Sequence, residues 1–249
     1  MTADSVKSAA RAIEILEHFR VSRQPQSMTA LAEALGYPVS SATGLLKTLV
    51  AGGYLNYDRV ARVYFPTTKV TGLGDWIPSS LFGTGEVIHA MDDLHAETGE
   101  GIFIGSRNDV HLQYIRTRAS THALRFHTDE GSTRPITRSV AGLVLLASTP
   151  PGKLATYVRR ANLATTDPTE HTTLADVTDT IEKIQAAGYG YAEDLPFPGG
   201  ASLAMQLPVT VQGQPVVLGM GGVAERFRRE FPRYLDALRR AVASVPAGP

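Results

Sequence analysis

The chain has 249 residues, 43% of them hydrophobic and 19% charged, which is an ordinary globular composition for one large or two modest domains. Lys plus Arg and Asp plus Glu both number 24, so no global basic excess indicates a polyanion partner, and the absence of cysteine excludes disulfides, thiol catalysis and thiolate metal sites. Because no window approaches the ~20 apolar residues of a membrane helix and the N-terminus lacks the unbroken apolar core of a signal peptide, we expect a soluble cytoplasmic protein without a membrane partner.

Apolar residues recur at helical spacing near the start of the chain. Ala9, Ala12, Ile13, Leu16 and Phe19 fall at i, i+3, i+4, i+7 and i+10. This spacing predicts a first helix with these five side chains buried along one side. The polar, proline-containing stretch that follows ends it.

A second, shorter helix is predicted in the stretch SMTALAEALG. Ser27 or Thr29 can cap its N-terminus, and Gly36 ends it. We expect its inner face to consist of Leu31, Ala34 and Leu35.

A third helix follows at once, and Pro38 suits its first turn because the missing N–H would have no intrahelical partner there. On a wheel of 100° per residue, four apolar side chains form a narrow arc that we expect to face the core. They are Ala42, Leu45, Leu46 and Leu49. The opposite side is small, hydroxyl-bearing and singly basic. It consists of Ser40, Gly44, Lys47 and Ala51, with Ser41, Thr43 and Thr48 at its edges.

After this helix the hydrophobic pattern changes to period two. The stretch YLNYDRVARVYFP predicts two short strands around a turn near residues 58–61, with Arg59 and Arg62 at or beside the tip. Helices followed by such a ribbon form a winged helix-turn-helix, in which the last helix enters the major groove of DNA and the ribbon lies along the phosphates. The basic excess through residue 78 is slight, eight basic residues to six acidic ones. A small helical subdomain with a solvated polar face is therefore the alternative.

Strands and helices interleave in the rest of the chain, which predicts an α+β domain with a mostly antiparallel sheet flanked by helices. GIFIGSRNDVHLQYIRTR indicates two strands joined by a turn at Asn108 and Asp109, and SLAMQLPV and QPVVLGMGG indicate two more. The predicted helices are EVIHAMDDLHAETG, SVAGLVLLAS, PPGKLATYVRRA, LADVTDTIEKIQAAG and RREFPRYLDALRRAVASV. We expect Pro232 to interrupt the last helix, and residues 219–224 to form a tight turn rather than a dinucleotide-binding loop.

Signals for catalysis and cofactors are weak. His111, His122 and His127 have no standard metal-ligand spacing, and no nucleophile elbow or paired catalytic constellation is present. We therefore expect no catalytic residues, no metal and no cofactor. An enzyme in the C-terminal α+β domain, with the helical segment as a dimerisation arm, is the alternative to a DNA-binding protein.

Several segments, in the same order, resemble the IclR family of bacterial transcriptional regulators. SVKSAARAIEILEHF is similar to the family's first helix, MTALAEALGYPVSSATGLLKTLVAGGYL to its helix-turn-helix, and VYFPTTKVTGLG to the exit of its wing into a linker helix. HALRFHTDEG with Pro135 resembles the strand and loop before the effector pocket, and IEKIQAAGYGYAEDL the segment that leads to the signature region.

The resemblance implies three regions: a winged helix-turn-helix over residues 1–66, a linker helix and hinge over 67–83, and a GAF-like effector-binding domain over 84–249. It also implies a homodimer or dimer of dimers on a palindromic DNA operator. We expect a repressor of a catabolic operon whose operator binding changes when a small organic effector, such as a carboxylate or a related aromatic or keto compound, occupies the C-terminal domain.

The expected operator contacts lie on the third helix and the wing. They are Ser40, Ser41, Thr43, Gly44, Lys47, Arg59 and Arg62. Gly44 stands where the family commonly has an arginine. A residue without a side chain either lets the helix lie deep in the groove or marks a lost contact, and the two alternatives stay open.

The expected effector contacts come from three segments similar to the family's pocket. They are Tyr114, Phe126, Thr137, Arg138, Ser139, Gly142, Glu193, Asp194, Ser202 and Gln206. Arg138 offers a guanidinium that fits a carboxylate. The alternative is that Arg138 is a surface residue paired with Asp129 or Glu130.

Overall fold

The computed structural model describes residues 6–73, 85–195, 197–211 and 213–247. The chain divides into two compact units, Met1–Ser80 and Leu81–Pro249. Within the described residues, no helix is long and apolar enough to cross a membrane.

The N-terminal unit combines short helices with a small sheet. Its helices are α1 (Lys7–Ser22), α2 (Met28–Ala34), α3 (Val39–Ala51) and the short α4 (Lys69–Gly72). Its strands are β1 (Gln26–Ser27), β2 (Leu55–Asp58) and β3 (Val63–Pro66), which pair antiparallel in the order β1–β3–β2. The predicted three helices and two-stranded ribbon are confirmed, and the third strand, β1, was not predicted.

The core of this unit corrects two predicted helix faces. In α3, Ala42, Leu46 and Leu49 are buried as predicted. In α1, Phe19 is buried as predicted and Ala12 and Leu16 are half-buried, but Ile15 joins the core in place of Ile13, which is 59% exposed, and Ala9 is exposed. The sequence of α1 contains two overlapping apolar stripes, and contact with α3 and β3 selects the one through Ile15.

The inner face of α2 is also shifted. Leu31 and Ala32 are buried, whereas Ala34 is exposed and Leu35 only half-buried. The side of α2 that packs on α3 therefore lies one position away from the prediction.

The C-terminal unit is an antiparallel sheet with helices on both faces. Its strands are β4 (Gly101–Asn108), β5 (His111–Arg118), β6 (Thr133–Pro135), β7 (Gly190–Glu193), β8 (Gly200–Val211) and β9 (Gln214–Val223). Its helices are α5 (Glu86–Thr98), α6 (Val140–Ala147), α7 (Pro151–Ala164), α8 (Leu174–Ala187) and α9 (Ala224–Ala243). The strand order is β6–β5–β4–β9–β8–β7, and every neighbouring pair is antiparallel.

Alternating side chains of the strands build one core on each face of this sheet. Ile102 and Leu218 pack with α5 and α9 on one face, and Phe103 and Val217 pack with α6, α7 and α8 on the other. Alternation of this kind is expected of strands covered on both faces. The predicted α+β class with a mostly antiparallel sheet is confirmed, and the GAF-like likeness stays a prediction.

Two predictions for the end of the chain are wrong. Residues 219–223 continue β9, and α9 begins directly at Ala224, so the glycine-rich stretch is not a tight turn. Pro232 lies inside α9 without ending it. A mid-helix proline costs ~3 kcal/mol, but Phe227, Tyr234 and Leu238 are fully buried around it, and each such side chain contributes about 1.5–3 kcal/mol.

The predicted linker helix over residues 67–83 is described only in part. Lys69–Gly72 is helical, and residues 74–83 lie outside the described residues. The boundaries at 66 and 83 stay predictions.

Candidate DNA interface and effector pocket

The outer face of α3 is solvent-accessible and carries several polar groups. Ser40, Gly44 and Lys47 are exposed, and Ser41 and Thr43 are half-buried at the edges of the stripe. Within the described part of the chain, the side chains of Ser40, Ser41 and Lys47 have no hydrogen-bond partner. Their donors are available to a ligand that approaches this face of the helix.

The threonines of this face are bonded to their own helix. Thr43 Oγ1 donates to the carbonyl oxygen of Val39 at 2.8 Å and lies 3.0 Å from the sulfur of Met28, and Thr48 Oγ1 donates to the carbonyl oxygen of Gly44 at 3.0 Å. Such i−4 bonds are common for helical threonine. They use the hydroxyl hydrogens that could otherwise be donated to DNA.

The turn between α2 and α3 fixes the position of the outer face. Ser27 caps α2 by accepting a hydrogen bond from the N–H of Ala30 at 3.2 Å, and Gly36 takes φ +63° to end that helix. The Tyr37 hydroxyl donates to the Glu14 carboxylate, and the guanidinium of Arg11 lies 4.6 Å from the Tyr37 ring centroid. Burial, followed by the bond to Glu14, raises the pKa of Tyr37 to about 12.

The wing tip is a tight turn that exposes two arginines. Asp58 Oδ1 accepts hydrogen bonds from the backbone N–H groups of Val60 at 2.8 Å and Ala61 at 3.0 Å. Arg62 takes φ +57° and leads into β3. Arg59 and Arg62 are exposed and, within residues 6–73, have no carboxylate partner. Two cations at the tip of a ribbon suit contact with phosphates.

In the C-terminal unit, a cavity of about 60 Å³ lies over the sheet. Its floor contains Gly101 on β4, Gly221 on β9 and Ser202 on β8, which are neighbours in one cross-strand row. Two glycines in this row expose the backbone of the sheet, so that a ligand can lie flat on peptide groups.

Aromatic side chains cover much of this cavity. The rings of Phe126 and Phe197 stack with centroids 5.7 Å apart and planes at 9°, and the Phe103 and Tyr114 rings meet edge to face at 5.2 Å. The guanidinium of Arg134 lies 4.6 Å from the Phe197 ring centroid. Burial raises the pKa of Tyr114 above its ordinary value.

Directed polar groups around the cavity are few. Thr117, Thr128 and Ser202 contribute hydroxyls, and Arg118 contributes a guanidinium that is paired with Asp92 at 2.7 Å. An apolar lining with a small number of polar groups is the composition of a small-molecule site, although such sites usually enclose about 300–1,000 Å³ and this cavity about 60 Å³.

Three of the predicted effector contacts line this cavity, and the rest do not. Tyr114, Phe126 and Ser202 lie in its wall and floor. The predicted residues elsewhere are Thr137, Arg138, Ser139, Gly142, Glu193, Asp194 and Gln206.

The segment around α6 has a structural role in this fold. Ser139 is buried and caps α6 by accepting from the N–H of Gly142 at 3.1 Å. A side chain at Gly142 would meet the carbonyl oxygen of Ile136, so this glycine permits a close backbone approach. Thr137 is buried in the turn before α6.

Arg138 has neither of the two predicted partners. Its Nη1 donates to the carbonyl oxygen of Glu170 at 3.5 Å. Asp129 pairs with His127 and Glu130 with Arg116, so the predicted surface pair of Arg138 is wrong.

The predicted residues Glu193 and Asp194 form hydrogen bonds that fix the loop after β7, beside the cavity. Glu193 accepts hydrogen bonds from the Tyr191 hydroxyl at 2.8 Å and from Arg228 Nε at 2.7 Å. The bond from Tyr191, followed by the bond from Arg228, lowers the pKa of Glu193. Asp194 Oδ1 accepts from the N–H of Gly199 at 2.6 Å. That bond closes the loop that brings Leu195 and Phe197 to the cavity. Gln206 is exposed further along β8.

A buried ion pair lies next to the pocket floor. Glu100 is completely buried and accepts hydrogen bonds from Arg226, whose Nη2 is 2.8 Å away, and from the Tyr234 hydroxyl at 2.9 Å. Burial, together with the bond to Glu100, raises the pKa of Tyr234 to about 12. A side chain at Gly222 in the cavity lining would meet the Glu100 carboxylate.

Comparison with known proteins assigns both units. Residues 8–59 match the IclR helix-turn-helix domain, and residues 86–247 match the bacterial transcriptional regulator IclR C-terminal domain. No curated protein matches the chain.

Solved structures share the fold. The effector domain of the transcriptional regulator IclR from Acinetobacter sp. ADP1 is 38% identical, covers 66% of this chain and 96% of its own, and superposes with a TM-score of 0.62. Thermotoga maritima IclR is 20% identical, with 96% of this chain and 97% of that chain covered and a TM-score of 0.76. An IclR transcriptional regulator from Alicyclobacillus acidocaldarius is 20% identical, with 96% of this chain and 97% of that chain covered and a TM-score of 0.71.

A winged helix-turn-helix followed in the same chain by an effector domain defines a DNA-binding transcriptional regulator, and not an enzyme. The chain belongs to the IclR family of bacterial transcriptional regulators. The alternative of an enzyme is therefore set aside. Among the described residues, no group of His, Asp and Glu side chains could hold a metal ion.

Proposed function

We propose that this regulator is a cytoplasmic repressor of a catabolic operon that binds a palindromic operator as a homodimer or a dimer of dimers. The observation that supports the DNA contacts is the outer face of α3, where the side chains of Ser40, Ser41 and Lys47 have no hydrogen-bond partner within the described residues. The wing adds two arginines that have no carboxylate partner within residues 6–73. In this proposal α3 enters the major groove and Arg59 and Arg62 contact phosphates.

The proposed effector is a small planar organic compound, such as an aromatic or keto acid, in the cavity over the sheet. Its flat side would lie on the row formed by Gly101, Gly221 and Ser202. The aromatic wall supports a planar ligand, since rings stack favourably at such distances.

Arg134 supports an acidic group on that ligand. Its guanidinium stacks on Phe197, and its Nε is buried without a hydrogen-bond partner. Buried donors are normally satisfied. Arg134 is not among the residues that line the cavity, so in this proposal its guanidinium moves toward the cavity to meet a ligand oxygen. Arg134 takes the place that Arg138 had in the prediction from sequence.

Operator binding is tested by gel-shift titration of the full chain with the DNA upstream of its own gene, at several salt concentrations. We expect selective binding whose logarithmic affinity falls linearly with the logarithm of the salt concentration. Binding that is equal on unrelated DNA would contradict the proposed function.

The effector is sought by thermal shift with aromatic acids, keto acids and their neutral amides. A true effector should raise the melting temperature of the full chain and change its operator affinity in the same concentration range. The Arg134→Gln variant should lose the preference for the acid over the amide. An unchanged preference would remove Arg134 from the proposed site.

A further inference from the structure

The recognition helix lacks the side chains that read base pairs by paired hydrogen bonds. Its sequence, VSSATGLLKTLVA, contains no Arg, Asn, Gln, Asp or Glu, and Lys47 is its one charged residue. Bidentate reading of guanine requires Arg or Lys, that of adenine requires Asn or Gln, and cytosine is read by Glu or Asp. Apart from Lys47 and the single hydroxyls of Ser40 and Ser41, this helix therefore has no side chain that reads purines or cytosine, and none of the bidentate kind.

The outer face of α3 offers methyl groups instead. The hydroxyls of Thr43 and Thr48 donate to the carbonyl oxygens of Val39 and Gly44. The methyl group is therefore the main part of each side chain that is available for contact with DNA. Ala51 adds a third methyl group to the exposed stripe.

Gly44 leaves a depression in the middle of this face. A Cβ atom at Gly44 would have no atom within 4 Å, so the space above the backbone is open. A group that protrudes from a base edge can approach the helix closely there, because no side chain intervenes.

We propose that α3 reads its operator by apolar contacts between these methyl groups and the C5-methyl groups of thymine, so that each half-site carries thymines at the positions facing α3. Thymine alone presents a methyl group in the major groove, and contact with Ala or with a Thr methyl selects for it. The proposal rests on the proposed function, in which α3 enters that groove.

The DNA side of the proposal is tested with the full chain. An operator is first selected from random duplexes, and each thymine is then replaced singly by deoxyuridine, which pairs identically but lacks the methyl group. Burial of one methyl group corresponds to about a fourfold change in affinity. We expect such a loss of about fourfold at two or more thymines of each half-site, measured by fluorescence anisotropy at constant salt.

The protein side is tested with Thr43→Ser and Thr48→Ser, which remove one methyl group and keep the hydroxyl. Each variant should bind the thymine operator about fourfold more weakly and should be indifferent to deoxyuridine at the position it contacts. Thr71→Ser is the matched control, since Thr71 lies on α4 and likewise donates to a carbonyl oxygen, that of Thr68 at 2.7 Å.

Three outcomes are distinguishable. Thymine-dependent binding that the serine variants lose supports the inference. Selective binding that is insensitive to deoxyuridine at every position, or serine variants that weaken both DNAs equally, overturns it and leaves the proposed function intact. Failure to select any DNA sequence overturns the proposed function and the inference together.

Discussion

The two units of this regulator treat polar side chains in opposite ways. Among the described residues, every polar or charged residue that is buried as a whole lies in the effector unit. Within residues 6–73 the buried residues are apolar, and the buried polar atoms are single ones of half-buried residues, such as Nε2 of His18 and Oγ of Ser22. The partner of the first unit is proposed to lie outside it, so its hydroxyls and cations can stay in water. The proposed partner of the second unit lies on its sheet, so polar groups are buried there, and those without a partner inside the protein, such as Arg134 Nε, are left for a ligand.

The difference implies that single substitutions act differently in the two units. In the effector unit, loss of one polar group leaves another one buried without a partner, which costs stability. In the DNA-binding unit, loss of an exposed polar group should change affinity for DNA and leave folding nearly unchanged.

The largest expected effect is on Glu100. Glu100→Ala leaves Arg226 without its carboxylate partner in a site where Glu100 is completely buried, and breaking such a pair costs about 3–5 kcal/mol. We expect this loss in the free energy of unfolding by denaturant.

The control is Glu97→Ala, which removes an exposed pair with Arg240 that should contribute at most about 1 kcal/mol. Equal losses for the two variants would show that the burial of Glu100 has no energetic consequence.

The next effect compares two tyrosines that each donate to a glutamate. Tyr234→Phe removes a buried bond to Glu100 and should cost about 1.5–3 kcal/mol. Tyr37→Phe removes the bond to Glu14, which lies at the edge of the DNA-binding unit, and should cost less.

This pair also predicts a pH dependence. The pKa of Tyr234 is raised from 10.0 to about 12, so its contribution is fully present below pH 10 and is lost as the pH rises toward 12. Unfolding titrations between pH 9 and 11.5 should show a steeper loss for the native chain than for Tyr234→Phe. Parallel curves would contradict the assigned bond.

A smaller effect is expected at the wing. Arg62→Ala should weaken binding to every DNA sequence by about tenfold and lower the slope of the salt dependence by about 1, without changing the melting temperature. Arg159→Ala, an exposed residue on α7, is the control. If Arg62→Ala changed sequence preference instead, the roles assigned to wing and helix would be reversed.

The smallest expected effect is that of Gly44→Ala, which should change the stability of α3 and the affinity for the operator in opposite directions. Gly44→Ala adds a methyl group in open space and should stabilise α3 by about 1 kcal/mol. The same variant should weaken operator binding if the depression at Gly44 receives a base edge. If the position has instead lost the arginine of the family, Gly44→Arg should strengthen operator binding.

The DNA-binding unit could be predicted from sequence because its elements are local. The period of α3 identified Leu46 and Leu49 as core and Lys47 as exposed, and the turn at Asp58 followed from turn-forming residues. The face of α1 could not be chosen, since Ile13 and Ile15 are equally apolar and only contact with α3 and β3 distinguishes them.

The effector cavity could be predicted only in part because it is assembled from distant segments. Gly101, Ser202 and Gly221 meet through strand pairing that no local pattern specifies. Phe197 was missed although it follows a predicted pocket segment. Glycines inside three strand-like stretches were the available signal, and they indicate close approach in sheets.

The floor of the pocket contains two adjacent glycines that differ in what a side chain would meet. Gly222 cannot take a side chain without meeting the Glu100 carboxylate, whereas a Cβ at Gly221 would lie 3.6 Å from its nearest neighbour, the carbonyl oxygen of Ala201, an ordinary contact distance. Two adjacent glycines therefore tolerate a side chain differently: one at position 222 would collide with the buried carboxylate, whereas one at position 221 would meet only ordinary contacts and would enter the cavity.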